Sequence, residues 1–197
     1  MAVIAELREN AYHNLTKVKT GKVRISFPHL FTKYEASGKY QAHFIISKDD
    51  ENTVEVLQSA IKNAKENGKE RLWGGKLPGR LAVACKDGDE PDDNGEVFES
   101  AINSYIVTAK SKHMPPVYGA DKVRLSELEE EEVYGGCYVQ AIFEAYPYSA
   151  DNAKGIAFAL LGVKKLADGE RFGGGASFAS DDDFDEADDD DIDDLLK

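Results

Sequence analysis

Short segments in which apolar and polar residues alternate recur along this chain, and they constrain its fold more than any other feature. In Lys22–Phe27, the apolar residues Val23, Ile25 and Phe27 would share one face of an extended segment. A period of two predicts a half-buried strand. We expect Pro28 to end this strand, because proline cannot donate a hydrogen bond to a β-ladder. The chain is therefore expected to consist mainly of β-strands.

Further strand-like segments follow, and a helix separates the early ones. We predict strands at Lys39–Ser47, Leu81–Cys85, Ser100–Lys110, Gly136–Tyr146 and Lys154–Leu166. Apolar residues at helical spacing begin after Asp49 or Asp50, either of which can cap a helix, and Asn67-Gly68 is the expected stop. This pattern indicates an all-β fold with a helical insertion, and the OB-fold is the most economical barrel of that kind. Periodicity alone does not separate it from other barrels or from an α+β sheet.

The charge of the chain is unevenly distributed. Its formal net charge is −13, but from Gly173 onward there are eleven acidic residues and one basic residue, which gives −10 and leaves −3 for residues 1–172. We therefore expect one domain at 1–172, with extended loops, and a Gly/Ser linker with a disordered acidic C-terminal tail at 173–197. Considered by segment, the charge leaves nucleic acid open as a partner.

The compartment can be predicted from the N-terminal segment and the cysteines. Met1–Thr20 has no apolar stretch of the kind found in signal peptides. No stretch of the chain reaches the roughly 20 apolar residues that span a bilayer. Cys85 and Cys137 lie far apart in apolar, strand-like segments, which favours buried and reduced thiols. These features predict a soluble protein of the cytoplasm that has no membrane partner.

We find no pattern typical of a catalytic or metal site. His13, His29, His43 and His113 lack the spacing of zinc ligands. Asp87–Glu96 resembles a calcium loop only superficially, because the order of aspartates and the closing glutamate are missing. Neither a phosphate-binding loop nor a nucleophile elbow occurs. The sequence predicts a protein that is not an enzyme and needs no cofactor; a metal-dependent nuclease, which would need clustered carboxylates, is a third alternative.

Basic and aromatic residues are interleaved in several predicted loops and strand ends. Proteins that bind single strands use cations to follow the phosphates and aromatic rings to stack on unpaired bases. Phe27–Tyr40, Lys110–Lys122 and Glu144–Lys154 have this composition, and Trp73 lies in a basic loop. Each tyrosine could instead cover the core with its hydroxyl in water, and Trp73 could be a core anchor. The candidate nucleic-acid-binding residues are Arg24, Phe31, Lys33, Tyr34, Lys39, Tyr40, Trp73, Lys76, Arg80, Lys110, Lys112, Tyr118, Lys122, Tyr146, Tyr148 and Lys154.

Several stretches in fixed order resemble one family. They are "VRISFPHLF", "CKDGDE", "YIVTAKSKHMPPVYGAD" and the long segment from "VYGGCYVQAIF" to "GERFGGG". The chain resembles the phage-encoded single-stranded DNA-binding proteins of the OB-fold type, over roughly Lys22 to Gly175. The resemblance implies an OB-fold core, sequence-tolerant binding of single-stranded DNA, and a role in phage replication or recombination in the host cytoplasm. It implies no catalytic residues.

The acidic tail has an expected function and also motivates an alternative. A flexible tail beside a basic groove could compete with DNA for it, because tethering raises its effective concentration. Its apolar residues could then dock replication or recombination proteins. The alternative is a DNA-mimic or partner-docking inhibitor that does not itself bind DNA. The candidate docking residues are Phe184, Ile192, Leu195 and Leu196.

Overall fold

The computed structural model describes residues 15–92, 95–150 and 153–172. Within them the chain forms nine strands of one sheet and a long α-helix, α1 (Glu51–Arg71). Short 3-10 helices lie at Glu99–Ala101 and Glu127–Glu132. The prediction of a mostly β domain with a helix between early strands is confirmed. The strands are β1 (Lys17–Lys19), β2 (Val23–Tyr34), β3 (Lys39–Ser47), β4 (Ala82–Val83), β5 (Cys85–Asp87), β6 (Ser104–Ser111), β7 (Val117–Tyr118), β8 (Tyr138–Ala150) and β9 (Ala153–Ala167).

The strand pairings follow a path that returns to its starting strand. β2 pairs with β3, β3 with β6, and β6 with β9. β8 pairs with β9 along almost its whole length and also with β2. The short strands are additions to this path, because β1 pairs with β8, β5 with β6, and β4 and β7 with β9. The inner faces of the sheet therefore surround a single core.

Large aromatic side chains fill the centre of that core. The Phe143 ring centroid lies 5.7 Å from that of Phe44 and 5.4 Å from that of Phe158, and all three side chains are buried. Burying one such side chain contributes roughly 1.5–3 kcal/mol. Because successive residues of a strand point to opposite faces, fixing these three rings inside also fixes which residues of β3, β8 and β9 point outward.

Helix α1 begins as predicted and ends later than predicted. The Asp50 carboxylate accepts a hydrogen bond from the Thr53 amide at 3.1 Å and caps the first turn. The helix continues through Gly68 to Arg71, so Gly68 is not its stop. Gly68 is buried instead, and a Cβ there would lie 2.6 Å from the Trp73 ring. The glycine allows the loop after α1 to fold back onto the helix.

Strand β2 differs most from the prediction. It runs through Pro28 to Tyr34, and its register against β3 shifts between Ser26 and His29. At this irregularity Phe27 has a positive φ of 50°. A bulge adds a residue to one strand and so reverses the face of the residues that follow. Phe27 is therefore 56% exposed rather than on the face of Val23 and Ile25.

Two other predicted strands are shorter or interrupted. The segment Leu81–Cys85 forms β4 and then β5, with Ala84 between them. Ser100–Lys110 begins as a 3-10 helix, and β6 starts only at Ser104. The first break occurs where the chain leaves one pairing partner for another, since β4 pairs with β9 and β5 with β6.

The two thiols are free, as predicted. Cys137 is buried, and Cys85 is partly buried in β5. Burial raises the pKa of the Cys85 thiol to about 11, which keeps it protonated and unreactive at neutral pH. In the part of the chain that the structure describes, no helix is both long and apolar enough to cross a membrane.

Candidate nucleic-acid interface

A groove where β3, β4, β6, β8 and β9 meet brings together side chains that are far apart in sequence. Its volume is about 450 Å³. Lys39 comes from β3, Lys110 from β6, and Tyr146 and Tyr148 from β8. These are four of the predicted binding residues. The other residues that line the groove are Ala82, Val83, Ala84, Thr108, Ile156, Ala157 and Phe158.

Strand register and residue size explain how the groove forms. Tyr146 lies opposite Ala157, and Tyr148 lies opposite Gly155, in the β8–β9 pairing. A Cβ on Gly155 would lie 2.8 Å from the Tyr148 ring, so the ring lies over the glycine. Small residues therefore form the floor, and the two tyrosines lie above it. Cations and aromatic rings around a concave floor form a surface that single-stranded nucleic acids can bind.

In this region the aromatic side chains are neutral and the lysines beside them carry the charge. Burial is the main cause that raises the pKa of the Tyr146 phenol, and the neighbouring Tyr148 adds to it. The pKa of His43 is lowered, first by burial and then by the positive charges of Lys110 and Lys86. Tyr146 and His43 are therefore uncharged at neutral pH, and the lysines supply the positive charge.

The β2–β3 hairpin extends this basic surface from the groove. Lys39 follows the turn and lies opposite Tyr34, which places it in both the hairpin and the groove. The ammonium of Lys33 lies 5.7 Å from the centroid of the Tyr40 ring. Tyr40 pairs with Ser111, so the exposed Lys112, which follows Ser111 in the chain, lies near Tyr40. The structure thus unites Lys33, Tyr34, Lys39, Tyr40, Lys110 and Lys112 in one neighbourhood.

Other predicted residues lie at the surface near the groove's far end. Arg80 precedes Ala82, a lining residue, and Lys76 lies in the same exposed loop. Lys154 is exposed at the start of β9, where it pairs with Ser149 of β8. Arg80 and Lys154 thus lie close in sequence to the Ala82–Gly155 part of the sheet that Tyr148 covers.

Two other predicted binding residues, Tyr118 and Lys122, lie away from the groove. Tyr118 is exposed, but β7 pairs with Val163 and Lys164, at the opposite end of β9 from Gly155. Lys122 lies in the turn that follows β7, so both are separated from the groove. β6 and β7 contact β9 at different points, and the segment Lys110–Lys122 is therefore not one continuous binding loop.

Arg24, Phe31 and Trp73 have structural roles in the fold. The Arg24 guanidinium donates hydrogen bonds to the carbonyls of Gly136 and Glu170 and lies 4.1 Å from the Phe172 ring centroid. Phe31 is 5% exposed and Trp73 is 7% exposed, and both belong to the core. Burial leaves neither ring a free face for a base, so we leave both out of the interface.

A cluster of rings on β2 and β3, in which Phe27 is exposed and the others are partly buried, was missed by the sequence analysis. Phe27 and His43 are stacked with centroids 5.9 Å apart and an interplanar angle of 20°. His29 lies 4.9 Å from Tyr34 and 5.7 Å from Phe27. Only Tyr34 was a candidate. The available signal was the Phe27-Pro28 pair, since proline inside a strand marks an edge or a bulge.

The predicted tail residues Phe184, Ile192, Leu195 and Leu196 lie outside the described residues. Within residues 15–92, 95–150 and 153–172, no three His, Cys, Asp or Glu side chains form a group that could hold a metal ion.

Lysines and aromatic rings around a groove on a β domain are typical of the class of proteins that bind unpaired nucleic acid, and comparison with known proteins identifies the family. The family model described as Enterobacter phage Enc34, ssDNA-binding protein, matches residues 16–196. Protein p50 of Acyrthosiphon pisum secondary endosymbiont phage 1 is 32% identical over 179 residues, which cover 86% of this chain and 93% of the relative. The chain belongs to the Enc34 single-stranded DNA-binding protein family, a family of phage proteins, which confirms the resemblance.

Solved structures support the same assignment. The single-stranded DNA-binding protein from bacteriophage Enc34 has a TM-score of 0.67 at 27% identity, with 85% of this chain and 89% of that chain covered. The same protein in complex with ssDNA has a TM-score of 0.69 at 28% identity, with 80% and 90% covered. The described fold is thus similar to that of a protein that was solved with single-stranded DNA.

Proposed function

We propose that this protein binds single-stranded DNA without sequence preference and without catalysis, in phage DNA replication or recombination in the host cytoplasm. The observation that carries the proposal is the groove that joins Lys39, Lys110, Tyr146 and Tyr148 from three strands. The ssDNA complex of the Enc34 protein supports it, because that protein has a similar fold. In this proposal residues 1–172 form the binding domain.

We further infer that the strand path is that of an OB-fold barrel. The pairings β8–β2–β3–β6–β9–β8 form a closed ring of five strands. A five-stranded barrel of this kind commonly binds oligonucleotides on one face and in its flanking loops. The groove lies on β3, β6 and the β8–β9 hairpin, so an OB-fold would place it on such a face.

The lysines and the tyrosines of the groove would have different roles in binding DNA. Lys39 and Lys110 would neutralise phosphates and release condensed counterions. Tyr146 and Tyr148 would stack on bases, which every base permits because each has a π-face. The lining residues offer mainly small apolar side chains toward the bases. This composition favours binding that tolerates any sequence.

The test is the salt dependence of binding to a fluorescein-labelled dT oligomer, measured by anisotropy. Lys39→Gln and Lys110→Gln should each reduce the slope of log K against log[salt] by about 0.7, the value for one phosphate on a single strand. Lys62→Gln, an exposed lysine of α1, is the matched control and should leave the slope unchanged. Equal slopes for all four chains would refute the groove as the phosphate-binding site.

The acidic segment 173–197 is proposed to compete with DNA for the same cations. A truncated chain that ends at Gly175 should then bind ssDNA more tightly than the full chain, and the difference should shrink at high salt. Phe184, Ile192, Leu195 and Leu196 would be available to partner proteins when DNA displaces the tail. If neither chain bound ssDNA at low salt, the DNA-mimic or partner-docking alternative would be favoured instead.

A further inference from the structure

The strongest unexplained feature outside the groove is the backbone at Phe27. It is a bulky residue with φ of 50°, and its ring is 56% exposed. A left-handed conformation is unfavourable for a residue with a Cβ atom, and an exposed ring offsets little of that cost. Strain of this kind concentrates at functional sites. The bulge therefore has a consequence other than stability, which is to turn an aromatic ring toward solvent.

The exposed ring is part of an ordered aromatic surface, which we call the β2–β3 platform and which consists of Phe27, His29, Tyr34 and His43. The stacked Phe27 and His43 rings differ by only 20° in orientation, and Tyr34 is nearly perpendicular to Phe27 at 6.3 Å. Rings that already pack against one another lose little freedom when a further ring is added. A flat, apolar ligand can therefore stack on the platform.

The platform is continuous with the groove. His43 pairs directly with Thr108, which lines the groove, and Lys110 and Lys86 act electrostatically on His43. Neighbouring strands lie about 4.8 Å apart, so β2 is about 10 Å from β6 across β3. A single strand in the groove could cross this distance within a few nucleotides, with lysine charge available beside it.

We propose that the β2–β3 platform is a second base-stacking subsite, which takes an unpaired nucleobase from the DNA strand that leaves the groove across β3. The proposal rests on the proposed function. The nearby lysines and the stacked Phe27–His43 pair favour a nucleic-acid ligand over a protein partner. A ligand of this class needs both a π-face and neutralised phosphates.

The experiment compares Phe27→Asn with the full, unmodified chain on dT oligomers from about 4 to about 20 nucleotides, a range that brackets the site sizes of such domains. Asparagine tolerates a positive φ, so the bulge is kept. We expect affinity for the long oligomers to fall about 5- to 150-fold, the equivalent of one lost base stack, and affinity for the shortest to stay the same. Phe98→Asn, which alters an exposed phenylalanine outside the platform, should change neither.

The outcomes separate this inference from the proposed function. If the unmodified chain bound no oligomer, the proposed function itself would fail. If Tyr146→Ala weakened all lengths but Phe27→Asn matched Phe98→Asn throughout, only the platform would be refuted, and a protein partner would be its better assignment. An equal loss at every length would also refute a separate subsite. As a second readout, crosslinks from 5-iododeoxyuridine oligomers should map to Phe27 or Tyr34.

Discussion

The loop after α1 holds Trp73 inside the domain, whereas the bulge in β2 holds Phe27 outside it. Trp73 packs on Gly68, and its indole N–H donates to the Tyr148 carbonyl at 3.4 Å. Phe27 has a positive φ and an exposed ring. In the first case a helical glycine makes room for the ring, and in the second the ring belongs to the residue whose backbone is strained.

The two rings therefore contribute differently to folding stability. The Trp73 ring gains hydrophobic and packing energy, because nearly all of its surface leaves water. It also holds the β8–β9 hairpin, and with it Tyr148, against the helix. Phe27 gains little burial and carries a backbone cost. Removing the two rings should therefore affect folding stability very differently, and the comparison can be tested one position at a time.

The largest effect is expected for Trp73→Ala. The loss of a buried tryptophan leaves a cavity and should lower the free energy of unfolding by about 3–5 kcal/mol. Urea denaturation followed by circular dichroism measures it. Leu72→Ala, at the exposed neighbouring residue, should change stability by less than about 0.5 kcal/mol. A similar small change at both positions would show that Trp73 is not a core anchor.

Gly68→Ala should also destabilise the domain, although helix propensity alone predicts the opposite. Alanine is better than glycine inside a helix by about 1 kcal/mol. Here its Cβ would lie 2.6 Å from the Trp73 ring and 2.7 Å from Pro147. Overpacking of this kind costs about 1–3 kcal/mol, so we expect a net loss in urea denaturation. Asn67→Ala, one residue earlier, is the control without this contact, and a gain for Gly68→Ala would contradict the close packing.

Much of the regular structure could be predicted from the sequence. The bounds of β3 follow from local patterns and were correct, and Asp50 is one of the two residues that were predicted as the cap. Phe27 could not be placed, because alternation assumes an uninterrupted ladder and a bulge reverses the faces beyond it. Gly68 was misread for a similar reason. A glycine that ends a helix and one that admits a tryptophan look the same in sequence.

The residue types of the candidate site were predictable, but their assembly was not. Lysines and tyrosines in loops indicated the chemistry, yet only strand pairing decides which of them meet. Lys110 reaches the groove because β6 meets β9 near Phe158, whereas Tyr118 does not because β7 meets β9 at Val163. The position of Trp73 likewise depends on Gly68 and on the Tyr148 carbonyl, which no local pattern connects to it.

Phe27→Asn should leave the free energy of unfolding within about 1 kcal/mol of the original value or raise it. Asparagine adopts positive φ with less strain, which offsets the loss of partial ring contacts. The expected result is thus the opposite of that for Trp73→Ala, although each variant removes an aromatic ring. Thermal or urea unfolding provides the measurement. A loss of several kcal/mol would mean that Phe27 is a structural residue and that its exposure has been misjudged.

The smallest expected effect is on the pH dependence of folding stability. It concerns the Phe27 region, because the titratable His43 side chain is stacked on the Phe27 ring. Burial, Lys110, Lys86 and His29 together hold the pKa of His43 below its ordinary value of 6.5. As pH falls through that value, the unfolded chain gains a proton at His43 while the folded chain does not, so folding stability falls until the folded-state pKa is passed. His43→Gln should remove this part of the pH dependence. Denaturant unfolding at pH values from about 5 to about 8 measures it. An identical pH profile for both chains, or stability that rises toward low pH only in the original chain, would show that His43 is not held neutral beside Phe27.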